Sequence, residues 1–192
     1  LGVPLVEVYG LTESTGMMKD LTAAEMKSLA IRHSRDRVQT LRELLDQVQG
    51  RVPLIIELKS HWDGDERLAE RALAVLKNYQ GPCCLMSFDP DLIAAVRRLS
   101  PETIRGIVAE RAFDPYYDAL PREKQVELRT FSHVARTRPD FVSFSFEELP
   151  WAPISALRAK GMPVIAWTIR SAAEARQALR HCDQITFEGF LP

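Results

Sequence analysis

Short apolar runs rich in β-branched residues recur along the chain, and segments with helical spacing lie between them. From Leu68 to Leu76 and from Leu92 to Leu99 the apolar positions follow a period near 3.6 residues, which indicates helices. Seven runs are predicted as strands: residues 4–8, 54–59, 83–88, 104–110, 141–146, 163–169 and 184–188. Strands that are apolar on both faces and alternate with helices predict a parallel sheet covered by helices.

Three helix starts carry the pattern of a capping box. Thr22, Thr40 and Ser171 each stand three residues before a glutamate, so the hydroxyl can accept from a first-turn N–H while the carboxylate reaches back to the N–H of the cap residue. Residues 113–138 are longer and more charged, and we expect one or two helices with a loop there. No linker or low-complexity stretch divides the chain, which predicts a single domain over residues 1–192.

Two architectures fit this alternation, an open doubly wound sheet and a closed (β/α)₈ barrel. Neither G-x-G-x-x-G nor G-x-x-x-x-G-K-[ST] is present, so a nucleotide-binding open sheet loses support. Polar residues gather at the carboxyl ends of the predicted strands, where barrels place their chemistry. We therefore predict a TIM (β/α)₈ barrel, although a complete barrel commonly has about 250 residues and this chain has 192.

Composition narrows the range of partners. With 25 basic and 26 acidic residues the net charge is −1, so neither nucleic acid nor an electrostatic membrane anchor is expected. No apolar run approaches the roughly 18–20 residues of a membrane span, and no signal peptide is visible. Cys83, Cys84 and Cys182 show no C-x-x-C spacing and are predicted to be free thiols of a reducing compartment. These features favour a cytoplasmic protein.

The most informative candidate residues are Glu57 and Lys59. Alternation places both on one face of a strand, with Ile56 and Leu58 on the other face. Charges at the inner end of a buried strand are costly unless they are used, so the pair is either a structural ion pair or a site for a cation and an anionic oxygen. Glu7 repeats the pattern on the first predicted strand, and two carboxylates at a barrel mouth suit Mg²⁺ or Ca²⁺.

Three further candidate residues lie near or just after the carboxyl ends of predicted strands. Trp167 forms either an apolar wall for the carbon skeleton of a ligand or a plug of the barrel core. Glu188 can reach the mouth, although a solvated carboxylate at the rim is the favoured interpretation. His61 is the only one of the four histidines at the carboxyl end of a predicted strand, and it is a weak candidate for a general acid or base.

Taken together in this order, the motifs resemble the glycerophosphodiester phosphodiesterase family. The resemblance covers nearly the whole chain, and although each motif is weak alone, the ordered set is specific. The segments that carry it are residues 11–22, 40–45 (TLRELL), 54–59 (LIIELK), 87–92 (SFDPDL), 166–170 (AWTIR) and 183–187 (DQITF).

The resemblance implies a TIM-barrel enzyme that hydrolyses glycerophosphodiesters to sn-glycerol 3-phosphate and an alcohol with a divalent cation, Mg²⁺ or Ca²⁺. By position, Glu7 and Glu57 match metal ligands of the family and Lys59 matches a lysine near the phosphate. Trp167 matches an aromatic residue near the glycerol moiety. Tyr9 stands where the family has a second ligand, an aspartate.

The chain departs from the family at the two histidines that transfer protons, because no residue matches either of them. We expect the first barrel strand and a loop after the second strand, which carry these histidines, to lie outside the 192 residues. A truncated chain and a non-catalytic barrel that binds phosphodiesters are the alternatives, and no catalytic residue is assigned. A Schiff-base aldolase that uses Lys59 as its amine nucleophile is a further alternative.

Overall fold

Six strands form one parallel sheet in the computed structural model, which describes residues 38–192. The strands pair in chain order and the sheet is curled like part of a barrel wall. They are β1 (Leu54–Glu57), β2 (Cys83–Ser87), β3 (Arg105–Ala109), β4 (Phe141–Ser145), β5 (Val164–Ile169) and β6 (Gln184–Phe187). Six predicted strands are confirmed, each within two residues at either end, and the predicted strand 4–8 with Glu7 lies outside the described residues.

Helices precede the first of these strands and fill every connection between them, as the alternation predicted. They are α1 (Leu41–Val48), α2 (Arg67–Leu76), α3 (Pro90–Leu99), α4 (Arg122–Thr130), α5 (Val134–Thr137), α6 (Ala152–Ala159) and α7 (Ala172–Ala178), with 3-10 turns at Pro115–Ala119 and Phe146–Glu148. Within residues 38–192 no helix has the length and apolar character needed to cross a membrane.

The two faces of the sheet have different neighbours. Ile107 and Val142 lie side by side on adjacent strands and belong to a core that includes Ile154 of α6 and Ala175 of α7. Side chains at these positions therefore face the helices, and the residues between them face the inside of the curled sheet. The inner face includes Gly106, where a Cβ atom would lie 2.3 Å from the Phe141 ring, so only glycine leaves room for that ring.

The segment that follows β1 is tied to β2 by hydrogen bonds. The buried Ser87 hydroxyl donates to the carbonyl oxygen of Leu58 at 2.7 Å. Ser60 Oγ donates to Asp89 Oδ2 at 2.5 Å, while Asp89 Oδ1 accepts from the N–H of Asp91 and caps α3. Because Asp89 is only 2% exposed, these bonds are shielded from water and fix the backbone on both sides of residue 59.

The predicted capping boxes have different outcomes. At α1 both bonds form, since Thr40 Oγ1 accepts from the N–H of Glu43 and the Glu43 carboxylate accepts from the N–H of Thr40. At α7 the Ser171 hydroxyl accepts from Glu174 at 3.2 Å, but the Glu174 carboxylate accepts from the N–H of Arg170 at 2.7 Å. The predicted bond from the N–H of Ser171 to the Glu174 carboxylate was therefore wrong, because the N–H of the preceding residue takes its place. The box at Thr22 lies outside the described residues.

One or two helices were expected within residues 113–138. The structure has two, α4 and α5, and an additional 3-10 turn before them. A charged cluster fastens these helices to α3. Lys124 Nζ lies 2.7 Å from Asp91 and 3.1 Å from Glu127, and Arg136 lies 2.6 Å from Asp91 and 2.8 Å from Glu127. Burial by itself would raise the pKa of Glu127. The hydrogen bonds and positive charges of Arg136 and Lys124 outweigh burial and lower the pKa to about 2.

His133, directly before α5, is buried beside this cluster. It is 1% exposed, its ring centroid lies 5.0 Å from that of Phe131, and neither ring nitrogen has a hydrogen-bond partner among the described residues. Burial lowers its pKa to about 4; Glu127 opposes this shift, while Arg136 and Lys124 add to it. His133 therefore stays neutral in the folded chain at neutral pH.

We predict that His133 makes stability fall as the solution is acidified. In the unfolded chain its pKa is near 6.5 and in the folded chain it is about 4. Between these values the unfolded state binds more protons, which favours unfolding, so about 3 kcal/mol is lost between pH 7 and pH 4 through this residue. In the His133→Leu variant the free energy of unfolding should fall by about 3 kcal/mol less between pH 7 and pH 4. Urea unfolding of both proteins at the two pH values measures this difference.

His61→Gln is the matched control, because His61 is exposed. The control should keep the pH dependence of the unmodified chain. The same loss of stability in His133→Leu and in the unmodified chain would contradict the assignment.

Candidate functional site

Polar and aromatic side chains meet at the carboxyl edge of the curled sheet. Four residues near the carboxyl ends of the strands are called here the mouth. Glu57 ends β1, Lys59 and Phe88 follow β1 and β2, and Trp167 lies in the second half of β5. In a parallel sheet all carboxyl ends lie at the same edge, where barrel enzymes place their sites.

Glu57 and Lys59 form an ion pair at the mouth. Lys59 Nζ lies 2.6 Å from Glu57 Oε1, and the two side chains are 37% and 21% exposed respectively. Ile56 and Leu58 pack on the opposite face against α2 and α3, which confirms the predicted alternation. Glu57 Oε1 is itself buried, and among the described residues it accepts no hydrogen bond of good geometry, so the lysine ammonium is its polar neighbour.

One aromatic ring stands beside the ammonium, and a second packs against the first. The Phe88 ring centroid is 5.8 Å from Lys59 Nζ, and the Trp167 ring meets Phe88 edge to face at 5.6 Å. Trp167 Nε1 donates to the carbonyl oxygen of Ser143 at 3.1 Å, which orients the indole. Trp167 is partly exposed, and with Phe88 it gives the mouth an apolar wall next to a positive charge.

The other predicted residues lie away from this pair. Glu188 forms an ion pair with Arg170 at 2.7 Å and is 45% exposed, which agrees with a solvated carboxylate at the rim. His61 is exposed on the loop after β1. Glu7 lies outside the described residues, so its convergence with Glu57 stays a prediction.

The described residues supply part of a metal site at most. Within residues 38–192 no group of three or more His, Cys, Asp or Glu side chains could hold an ion. Glu57 fits a hard cation in kind, because it presents a buried carboxylate oxygen that lacks a hydrogen bond from the described part of the chain. One carboxylate that is already paired with Lys59 does not complete a coordination shell.

A second polar group, which the sequence patterns did not identify, lies after β3. Glu110 follows β3, and its Oε1 accepts a hydrogen bond from Tyr117 Oη at 2.8 Å. Burial raises the pKa of Glu110, the Tyr117 hydrogen bond opposes that shift, and Glu148 and Asp114 add to it. Phe88 lines the same hollow as Glu110 and Tyr117. The signal in the sequence was the position of Glu110 as the last residue of a predicted strand.

Comparison with known proteins finds similarity in structure only. No protein-family model matches the sequence, and no curated protein matches it.

Solved structures of glycerophosphodiester phosphodiesterases are among those that match the fold. The enzyme from Parabacteroides distasonis is 18% identical with a TM-score of 0.66, and the match covers 87% of this chain and 66% of that one. The enzyme from Thermotoga maritima is 23% identical with a TM-score of 0.58, covering 88% and 66%. A phosphodiesterase from Oleispira antarctica, solved with its product sn-glycerol-3-phosphate, is 20% identical with a TM-score of 0.60, covering 79% and 57%.

These matches bear on the fold. The chain spans between about half and two thirds of the length of the solved structures that it matches. The predicted TIM-barrel class is confirmed, and the described strands and helices form a part of such a barrel. The chain therefore has the fold of the glycerophosphodiester phosphodiesterases, in agreement with the resemblance in its sequence motifs.

Proposed function

We propose that the chain belongs to the glycerophosphodiester phosphodiesterases and acts in the hydrolysis of glycerophosphodiesters to sn-glycerol 3-phosphate and an alcohol. The observation that carries this proposal is the pair of Glu57 and Lys59 at the mouth, 2.6 Å apart and flanked by an aromatic wall. The fold and the ordered motifs support the same reaction.

Each residue of the mouth has a part in the proposed reaction. A phosphodiester carries one negative charge, and further charge builds on its oxygens in the transition state. Lys59 would bind a phosphate oxygen and stabilise that charge. Once its ammonium turns to the phosphate, Glu57 is free to ligate a divalent cation together with Glu7. Trp167 and Phe88 would pack against the carbon skeleton of the glycerol moiety.

The proposed cation is Mg²⁺ or Ca²⁺, as the oxygen ligands Glu7 and Glu57 suit either ion. When bound, such an ion supplies Lewis-acid stabilisation of phosphate oxygens. Proton transfer is assigned to the two histidines that the resemblance puts on the first barrel strand and after the second. Of the described histidines, His61 is exposed and His133 is buried without partners, so neither is offered as the acid or base.

The ion pair speaks against the aldolase alternative. An amine nucleophile needs a free lone pair directed at the substrate, whereas Lys59 Nζ is directed at the Glu57 carboxylate, 2.6 Å away. Trapping of a carbonyl substrate on Lys59 by borohydride would support the aldolase function instead.

The first prediction of the proposal concerns turnover and Glu57. With Mg²⁺ or Ca²⁺, a full-length protein that carries both proton-transferring histidines should release sn-glycerol 3-phosphate from glycerophosphocholine, and EDTA should abolish the release. Glu57→Gln keeps the shape of the side chain but removes its charge, so we expect cation affinity to fall at least about 10-fold, equivalent to about 1.4 kcal/mol. Calorimetric titration with CaCl₂ measures this effect without reference to activity.

Glu188→Gln is the control for Glu57, because Glu188 is a rim carboxylate paired with Arg170. It should leave cation affinity unchanged. If Glu57→Gln releases product at the unmodified rate, Glu57 is not part of the site. If the unmodified protein binds sn-glycerol 3-phosphate but shows no turnover, the non-catalytic barrel is favoured.

A second prediction concerns Lys59. Lys59→Met retains the length of the side chain and loses the charge, so the dissociation constant of sn-glycerol 3-phosphate should rise about 10-fold or more. Lys77→Met, at an exposed lysine after α2, should leave it unchanged. Equal affinity of the two variants, measured by calorimetry, would show that the Lys59 ammonium is not the phosphate ligand.

A further inference from the structure

Two loops at the carboxyl edge of the sheet join through aromatic side chains. Trp62 follows β1, whereas Tyr116 and Tyr117 follow β3, and the Trp62 indole N–H donates to Tyr116 Oη at 3.1 Å. The Tyr117 ring meets Trp62 at 6.3 Å and Tyr116 at 5.5 Å, both nearly perpendicular. These three rings and Glu110, which binds Tyr117, are named here the aromatic subsite.

The aromatic subsite is open to ligands on one side. Tyr117 is 3% exposed and serves as its floor, but Tyr116 is 63% exposed and Trp62 is only partly buried. An indole and a phenol held by a mutual hydrogen bond lose little further freedom when a ligand binds against them. The subsite is therefore an ordered aromatic surface in contact with solvent.

Glu110 gives this surface an unbalanced negative charge. Its carboxylate accepts from the neutral Tyr117 hydroxyl, and no described Lys, Arg or His forms an ion pair with it. The guanidinium of Arg111, the nearest cation in sequence, donates to the carbonyl oxygen of Glu148 at 3.4 Å, and the backbone N–H of Arg111 donates to the Glu148 carboxylate. A half-buried carboxylate is costly to keep charged unless a positive group meets it, and residues 38–192 supply none.

Phe88 is a common neighbour of the subsite and the mouth. Its ring centroid lies 5.8 Å from Lys59 Nζ, and it lines a small interior hollow with Glu110 and Tyr117.

We propose that the aromatic subsite binds a positively charged group on the alcohol part of the substrate, so that the chain prefers glycerophosphodiesters of ammonium alcohols. The faces of Trp62 and Tyr116 attract a cation through their quadrupoles, and Glu110 adds charge attraction. A neutral polyol headgroup gains neither the attraction to the aromatic faces nor the charge attraction to Glu110. The substrate preference rests on the proposed phosphodiesterase function, whereas binding of the cation alone does not.

The direct test is a titration of the chain with choline, monitored through the ¹H–¹⁵N resonance of the Trp62 indole. The uncharged isostere 3,3-dimethyl-1-butanol is the matched ligand. Choline should shift the Trp62 resonance and bind at least about 10-fold more tightly than the isostere. The Trp62→Phe variant assigns the resonance.

Substitutions separate the charge from the fold. Glu110→Gln keeps the hydrogen bond to Tyr117 available and should weaken choline binding about 10-fold or more. Glu102→Gln changes an exposed carboxylate at the opposite edge of the sheet and should leave choline binding unchanged. Absence of a choline-induced shift, equal affinity for the isostere, or unchanged affinity in Glu110→Gln would each overturn the proposal.

The KM values of glycerophosphocholine and glycerophosphoglycerol, measured on a full-length protein that carries both proton-transferring histidines, test the preference itself. The KM of the choline ester should be lower in the unmodified chain, and Glu110→Gln should raise only that KM. Turnover of both esters with equal KM would refute the subsite and leave the phosphodiesterase function standing. Binding of choline at Trp62 without turnover of either ester would refute the phosphodiesterase function and leave the cation site standing.

Discussion

Alternation of side chains along parallel strands is the constraint on which the rest of this structure depends. Each strand residue faces either the helices or the inside of the curled sheet. Ile107, Val142 and their neighbours fill the outer side, where α6 and α7 cover them. Polar side chains are therefore confined to inner positions and to strand ends, and this confinement brings Glu57 and Lys59 to the mouth.

The pair of Glu57 and Lys59 is better suited to exchange partners than to hold the fold together. Partly exposed ion pairs contribute little stability, and buried ones seldom repay the loss of hydration. The fold around them is secured by other bonds, above all those of Ser87 and Asp89, which fix the backbone beside Lys59. A mobile charge on a fixed backbone is what binding of a phosphate requires, because the ammonium can change partners while the site keeps its shape.

Local patterns predicted much of this architecture. Short apolar runs identified the described strands, alternation placed Glu57 and Lys59 on one face, and the spacing of Thr40 and Glu43 predicted a capping box whose two bonds both form. Contacts between loops could not be predicted from the sequence. The neighbours of Glu110 come from a turn after β3, and the burial of His133 depends on how α4 and α5 pack, so neither follows from spacing along the chain.

The central claim is that the ammonium of Lys59 binds phosphate rather than serving as the permanent partner of Glu57. A crystal structure of the chain with sn-glycerol 3-phosphate and CaCl₂ tests it most directly. The account predicts a phosphate oxygen about 3 Å from Lys59 Nζ, a cation on Glu57, and a broken ion pair. Product bound elsewhere, with Lys59 and Glu57 still 2.6 Å apart, would contradict it.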